Sequence, residues 1–375
     1  MSNPAVMCKR LLIALWCLAL VAGCTTAPAP RDLESPVAAA PRGISDTVVV
    51  TESYISEADA TDELDSLVVW PNEHGGAWII GTAKATHQLV VFDADSGERL
   101  REVGRKGSAL GEFNRPNGVA VFADILFVVE RDNHRVQMLS LPTFAPLGSF
   151  GETELRSPYG LWLHEVAPGV LETYVTDSFM EGAKFDVVPP FAQLDQRVRR
   201  YRVQLDDDAK PMVASLGSFG ETAPEAALRM VESIGGDPAN DRLLIAEEDT
   251  RVGATLREYD LAGRYRQRSL PTALFRGEAE GVVLWSCSVD EGFWIAADQT
   301  NPLTTFHVFD RAELVYRGSF TGGTTMHTDG IALHAATTPR FPNGALFAVH
   351  DDKAVTAFDL REIARALKLS GDCVH

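Results

Sequence analysis

A chain of 375 residues with 45% hydrophobic composition has ample material for a large core. Its formal net charge of −18 argues against nucleic acid as a partner, because phosphate backbones select basic surfaces. An anionic substrate would also be repelled unless cations came with it.

Lys9 and Arg10 precede an apolar run from Leu11 to Ala22, too short for a comfortable membrane span and read as an export signal. Val21-Ala22-Gly23-Cys24 resembles the processing site of bacterial lipoproteins. That resemblance implies a signal peptide over residues 1–23 and membrane attachment through lipid on Cys24. In that class Thr25, standing where Asp would retain the protein at the inner membrane, favours the outer one. The expected location is therefore the bacterial cell envelope, lipid-anchored, on the periplasmic or the surface face. Residues 24–46, rich in Pro and Ala and without periodicity, read as a tether. Cys8 and Cys17 leave with the signal, so Cys287 and Cys373 remain in an oxidising compartment, either as free thiols or as a pair.

From residue 47 to residue 375 one design repeats. Asp65-Ser66 opens the apolar run Leu67 to Trp70, Asn117-Gly118 opens Val119 to Val121, and Tyr159-Gly160 opens Leu161 to Leu163. Glu232-Ser233, Glu280-Gly281 and Asp329-Gly330 open Ile234, Val282 and Ile331 in the same way. The spacing is roughly fifty residues, the signature of one structural unit repeated. The longest gap holds an insertion, Ser178 to Gln196, expected to form a surface loop. Each mark is followed by two further β-rich runs bounded by Gly, Asp, Asn and Pro. A fourth short strand is echoed in Leu147-Gly148-Ser149-Phe150 and Leu216-Gly217-Ser218-Phe219. Six such units predict an all-β fold, a six-bladed β-propeller forming one domain over 47–375. The sixth unit lacks a fourth strand, which Thr47 to Thr51 is expected to supply. Leu360, Ile363, Ala364 and Leu367 at helical spacing predict a short C-terminal helix.

First strands of propeller blades lie innermost, so their equivalent ends ring one mouth of the central channel. Four carboxylates, one tyrosine and one asparagine are thereby expected to converge, with Glu247-Glu248-Asp249 adding acid beside Glu232. Hard oxygen donors of this kind suit Ca²⁺. No CxxC, HExxH or paired histidine suggests zinc.

Several phrases carry a family resemblance: Val231-Glu232, Leu244-Ile245-Ala246-Glu247-Glu248-Asp249, Glu280-Gly281, Ala297-Asp298-Gln299, Thr328-Asp329-Gly330-Ile331 and Phe341-Pro342-Asn343-Gly344. In this order they resemble the β-propeller phytases, calcium-dependent phosphatases of inositol hexakisphosphate. Asp62-Glu63-Leu64-Asp65 is similar to that family's acidic first-blade motif. The resemblance implies calcium ligation by Asp65, Tyr159, Glu232, Glu248, Glu280 and Asp329, with Glu52 a further candidate. It implies catalytic roles for Glu232, Tyr159 and Asp329, and phosphate binding by Lys84 and Arg131. The implied reaction is phosphomonoester hydrolysis by water, in a monomer whose partner is the phosphorylated inositol. The family's Asp-Asp-Pro reads Asp65-Ser66-Leu67 here, and its paired lysines reduce to Lys84. Gly111 to Val121 and Asp132-Asn133-His134-Arg135-Val136 resemble NHL repeats instead. A non-catalytic binding propeller and a calcium-dependent lactonase are thus the alternatives.

Overall fold

The computed structural model describes residues 47–72, 75–205, 211–369 and 373. The signal peptide and tether assigned to residues 1–46 lie outside the described residues. Among those described, no helix is long and apolar enough to cross a membrane.

Six sheets, antiparallel but for one added edge strand, follow one another as six blades. The innermost strands are Leu64–Pro71, Pro116–Phe122, Pro158–Ala167, Val231–Asp237, Glu278–Ser286 and Ile331–His334. Each pairs with the next strand in sequence, so every blade is a meander running outward from the axis. Alternation along the strands gives each blade two apolar faces, and neighbouring blades bury them against each other. Six apolar clusters result, one at each blade interface. The cluster between the fifth and sixth blades also takes in Leu360, Ile363 and Ala364 of the C-terminal helix, Leu360–Leu367. Asp359 caps that helix by accepting from the Arg361 amide.

Closure differs in one respect from the sequence expectation. The fourth strand of the sixth blade is Tyr54–Ile55, antiparallel to Ala354–Asp359. Thr47–Val49 instead runs parallel to Tyr316–Thr321 as a fifth strand of the fifth blade. Between the two lies Glu52, whose carboxylate accepts from the amides of Gly323, Thr324 and Thr325 and from the Thr325 hydroxyl. One incoming segment therefore stitches two blades together and removes the exposed edge.

Cys287 and Cys373 are joined in a disulfide with a Cα–Cα distance of 4.7 Å, spanning 86 residues of sequence. The bond fastens the C-terminal end to the fifth blade. Replacing both cysteines by serine should cost about 2–4 kcal/mol of stability. Urea unfolding of the oxidised protein against the double variant measures it, and coincident midpoints would show that the bond carries no load.

Candidate metal centre at the channel mouth

The repeated dipeptide has a structural cause. In each of the first five blades the ladder between first and second strands breaks at the mark, where two residues of the first strand face one of the second. These two-against-one bulges fall on Asp65-Ser66, Asn117-Gly118, Tyr159-Gly160, Glu232-Ser233 and Glu280-Gly281. A bulge re-aims a side chain, and here it does so at the same height in each blade. The small second residue follows from crowding at the axis. A Cβ on Gly160 would overlap the Glu232 carbonyl oxygen, and one on Gly330 would overlap the Asp65 carbonyl oxygen. Only backbone without a side chain fits so close an approach.

The same contacts close the ring. Thr82 Oγ1 donates to the Asn117 carbonyl at 2.6 Å, and Thr176 Oγ1 to the Glu232 carbonyl at 2.7 Å. The Gly281 amide donates to the Asp329 carbonyl at 2.9 Å. All six marks thus lie around one mouth, as the spacing predicted.

A second set of positions reaches the mouth from the residue directly after each second strand. The amides of Lys84, Arg131, Ser178, Glu248 and Asp351 each bond back to the loop before the first strand of their blade. Three side chains from this level turn onto the marks. Lys84 Nζ lies 2.9 Å from Asp65 Oδ1 and 2.9 Å from Asp329 Oδ2. Gln299 Nε2 donates to Asp329 Oδ1 at 2.7 Å. Glu248 joins Glu232 and Glu280, and one ligand atom from each of the three lies within 4.8 Å of the others. The Tyr159 hydroxyl donates to Asp65 Oδ1 at 3.1 Å and also meets Glu232.

The centre therefore holds five carboxylates against one ammonium. Burial, then the Asp65 and Asp329 charges, push Glu232 well above the usual carboxylate range. Burial and neighbouring glutamates do the same to Glu248, and burial with Asp329 and Glu232 does it to Glu280. Asp329 is pushed up to about 6 by burial and Asp65, with Lys84 opposing. Although burial disfavours its charge, Lys84 is raised above the ordinary lysine value by Asp65 and Asp329. Two halves result: Asp65 and Asp329 share the lysine, whereas the three glutamates have no cation within ion-pair distance among the described residues. Glu248 Oε1 is buried without a hydrogen-bond partner, a state that costs about 1–3 kcal/mol unless something meets it. The donors are oxygens only, which fits a hard cation such as Ca²⁺ in number and type.

Two sequence expectations land elsewhere. Glu52, read as a further ligand, lies apart, with both oxygens taken up by the Gly323 to Thr325 loop. Burial opposes its charge, but the Thr325 hydroxyl and loop amides win and hold its pKa at about 2. Arg131 occupies the blade-two counterpart of Lys84, yet its guanidinium pairs with Asp132 at 2.8 Å and is half exposed. Three contributors went unassigned. Gln299 was legible by counting, since it stands one residue past the last pairing before the bulge, as Lys84 and Glu248 do in their blades. Glu278 adds negative potential at Glu248 and Glu280. Asn117, a mark without an assigned role, is fully buried with both amide atoms unpartnered.

Acidic residues one position earlier do a different job. Asp177 accepts from the Arg156 and Ser157 amides, Glu247 from Arg229 and Met230, and Asp298 from Arg276 and Gly277. They tie the loop entering each blade to the strand beside it. Asp177→Ala should thus destabilise the protein by about 2–4 kcal/mol, read as a lower denaturant midpoint. An unchanged midpoint would refute the tie.

No protein-family description matches this chain, and no curated protein matches it in sequence. Similar solved structures include hydrazine synthase of Kuenenia stuttgartiensis, 13% identical over 84% of this chain and 81% of that one, TM-score 0.46. The Cps50 (Swd1) β-propeller domain of Myceliophteria thermophila is 12% identical over 80% and 98%, TM-score 0.45. A chain of the nidogen/laminin complex is 15% identical over 73% and 87%, TM-score 0.45.

Proposed function

We propose that this protein is a calcium-dependent phosphomonoester hydrolase acting on phytate, myo-inositol hexakisphosphate, by attack of water. The observation that carries the reading is the trio Glu232, Glu248 and Glu280, three mutually repelling carboxylates gathered at one mouth with no counter-cation of their own among the described residues. Such an arrangement is unfavourable by itself and becomes favourable with a divalent cation. Asp65, Tyr159 and Asp329 complete the donor set.

Calcium, when bound, supplies charge to phosphoryl oxygens and lowers the pKa of water beside it. Glu232, Tyr159 and Asp329 would hold it and orient the attacking water. Once Asp65 and Asp329 are neutralised, the Lys84 ammonium is free to meet a phosphoryl oxygen as charge builds there. In-line attack forms a bond from the water oxygen to phosphorus as the ester P–O bond breaks, one water proton passing to the departing inositol oxygen, and no covalent nucleophile is required. On this reading the protein is held in the bacterial cell envelope by lipid on Cys24.

Incubation with phytate at neutral to alkaline pH, with calcium or with chelator, tests the proposal. Orthophosphate released only with calcium supports it. Hydrolysis of a lactone without phosphate release would favour a lactonase, and binding without turnover would favour a binding propeller.

A further inference from the structure

The mark of the second blade, Asn117, is a neutral amide. It is fully buried, and neither its Oδ1 nor its Nδ2 has a partner among the described residues. Its backbone carbonyl is taken by Thr82 Oγ1, so the residue is held in place while its side-chain amide is left bare. Tyr159 on the third blade donates to Asp65 on the first, and that bond passes across the second blade, where Asn117 stands. A buried amide in this condition is costly unless a small polar molecule meets it.

Behind the marks lies a cavity of about 310 Å³ along the channel. Its upper end is formed by the six small residues that follow the marks, Ser66 and Ser233 among them, and its walls by apolar strand positions such as Val68, Ala120 and Val283. The space is enough for several waters. The mouth in front is narrow. One ammonium spans Asp65 and Asp329, 2.9 Å from each, and ligand atoms of the glutamate trio lie within 4.8 Å of one another. A phosphoryl group enters between side chains so spaced, whereas a cyclitol carrying further phosphates stays outside. In-line displacement sets the attacking and the leaving oxygen on opposite sides of phosphorus. With the inositol outside, its ester oxygen faces outward, and the attacking water stands on the inward side, toward the cavity.

We infer that Asn117 positions this water from the channel side: its Oδ1 accepts one hydrogen of the water and thereby aims an oxygen lone pair at phosphorus. The inference rests on the phosphatase reading and deepens it, by assigning the side from which water attacks. The water oxygen bonds to phosphorus as the ester P–O bond breaks. The hydrogen held by Asn117 stays with the orthophosphate formed, and the other passes to the departing inositol oxygen. Asn117 itself takes no proton. An amide suits the task beside five carboxylates, because it accepts a hydrogen bond without adding a further negative charge.

The test compares the full-length protein with N117A and N117D at saturating calcium, on inositol hexakisphosphate and on p-nitrophenyl phosphate. For N117A kcat should fall about 100-fold, by the same factor on both esters, because the attacking water is common to them. KM and the calcium stoichiometry, read by calorimetry, should match the wild type. In chelator N117A should melt close to the wild type, since the amide it loses has no partner there. N117D, which keeps an oxygen at the same reach, should turn over faster than N117A. An unchanged kcat, a loss confined to one ester, a fall in calcium stoichiometry or a marked drop in the melting temperature in chelator would each overturn the role, as would N117D no faster than N117A. A wild type that cleaves neither ester removes the phosphatase reading and the inference with it, whereas an active wild type beside an equally active N117A removes the inference alone.

Discussion

Glu232→Ala should lower calcium-dependent phosphate release by about 100-fold or more, while the metal-free protein folds as before and loses no stability. The pairing of those outcomes is what makes the result diagnostic. Glu232 contributes to no apolar cluster and ties no loop. It adds negative charge to a centre where Asp65 and Asp329 already disfavour its ionisation. Removing it relieves repulsion in the metal-free state and removes a donor from the loaded one. A carboxylate with an architectural role behaves in the opposite way, as Asp177→Ala should. Phosphate release measures the first effect, calorimetric calcium titration the second, and thermal melting in chelator the third. Unchanged turnover would end the assigned role, and a marked fall in the metal-free melting temperature would show Glu232 to be structural.

The second large effect is the response of stability to calcium and pH. Free calcium at 100 times its Kd should stabilise the fold by about 2.7 kcal/mol for each independent site. Chelator should abolish the gain. The pH dependence of the metal-free protein follows from the raised pKa values of Glu232, Glu248, Glu280 and Asp329. Above the ordinary carboxylate range the unfolded chain has released these protons while the folded chain still holds them. Raising the pH therefore favours unfolding. Stability falls through about pH 6 for Asp329 and continues to fall higher for the glutamates. Calcium replaces the protons, so the loaded protein should show a flatter curve and bind metal more tightly as pH rises. Melting series in chelator and in calcium check both. A metal-free protein that gained stability on alkalisation would contradict the assigned charge cluster.

The blade count and the pole of the ring were legible because both are local. Each bulge needs a polar residue followed by a small one, and that demand recurs wherever two blades crowd the axis. Asp65, Tyr159, Glu232, Glu280 and Asp329 could thus be picked out by spacing. What escaped the sequence depends on partners far along the chain. Lys84 turns inward because Asp329 lies opposite, 245 residues away in sequence. Glu52 looks like another acidic ligand until the loop at Thr325 captures it, 273 residues on. Closure was misplaced for a related reason. Tyr54–Ile55 is a strand of 2 residues, too short to carry a β pattern, whereas Thr47 to Thr51 has one and spends it on the neighbouring blade.

The stitched entry segment has a mechanical consequence. Force drawn along the chain toward its amino-terminal side meets Thr47–Val49 laid parallel to Ser319–Thr321, so the load is shared by the ladder in shear instead of opening it rung by rung. Behind that ladder the Glu52 knot must yield before tension reaches Tyr54. A pull from this side is thus absorbed at the seam, and the geometry at the opposite, inner edge of the blades is left undisturbed.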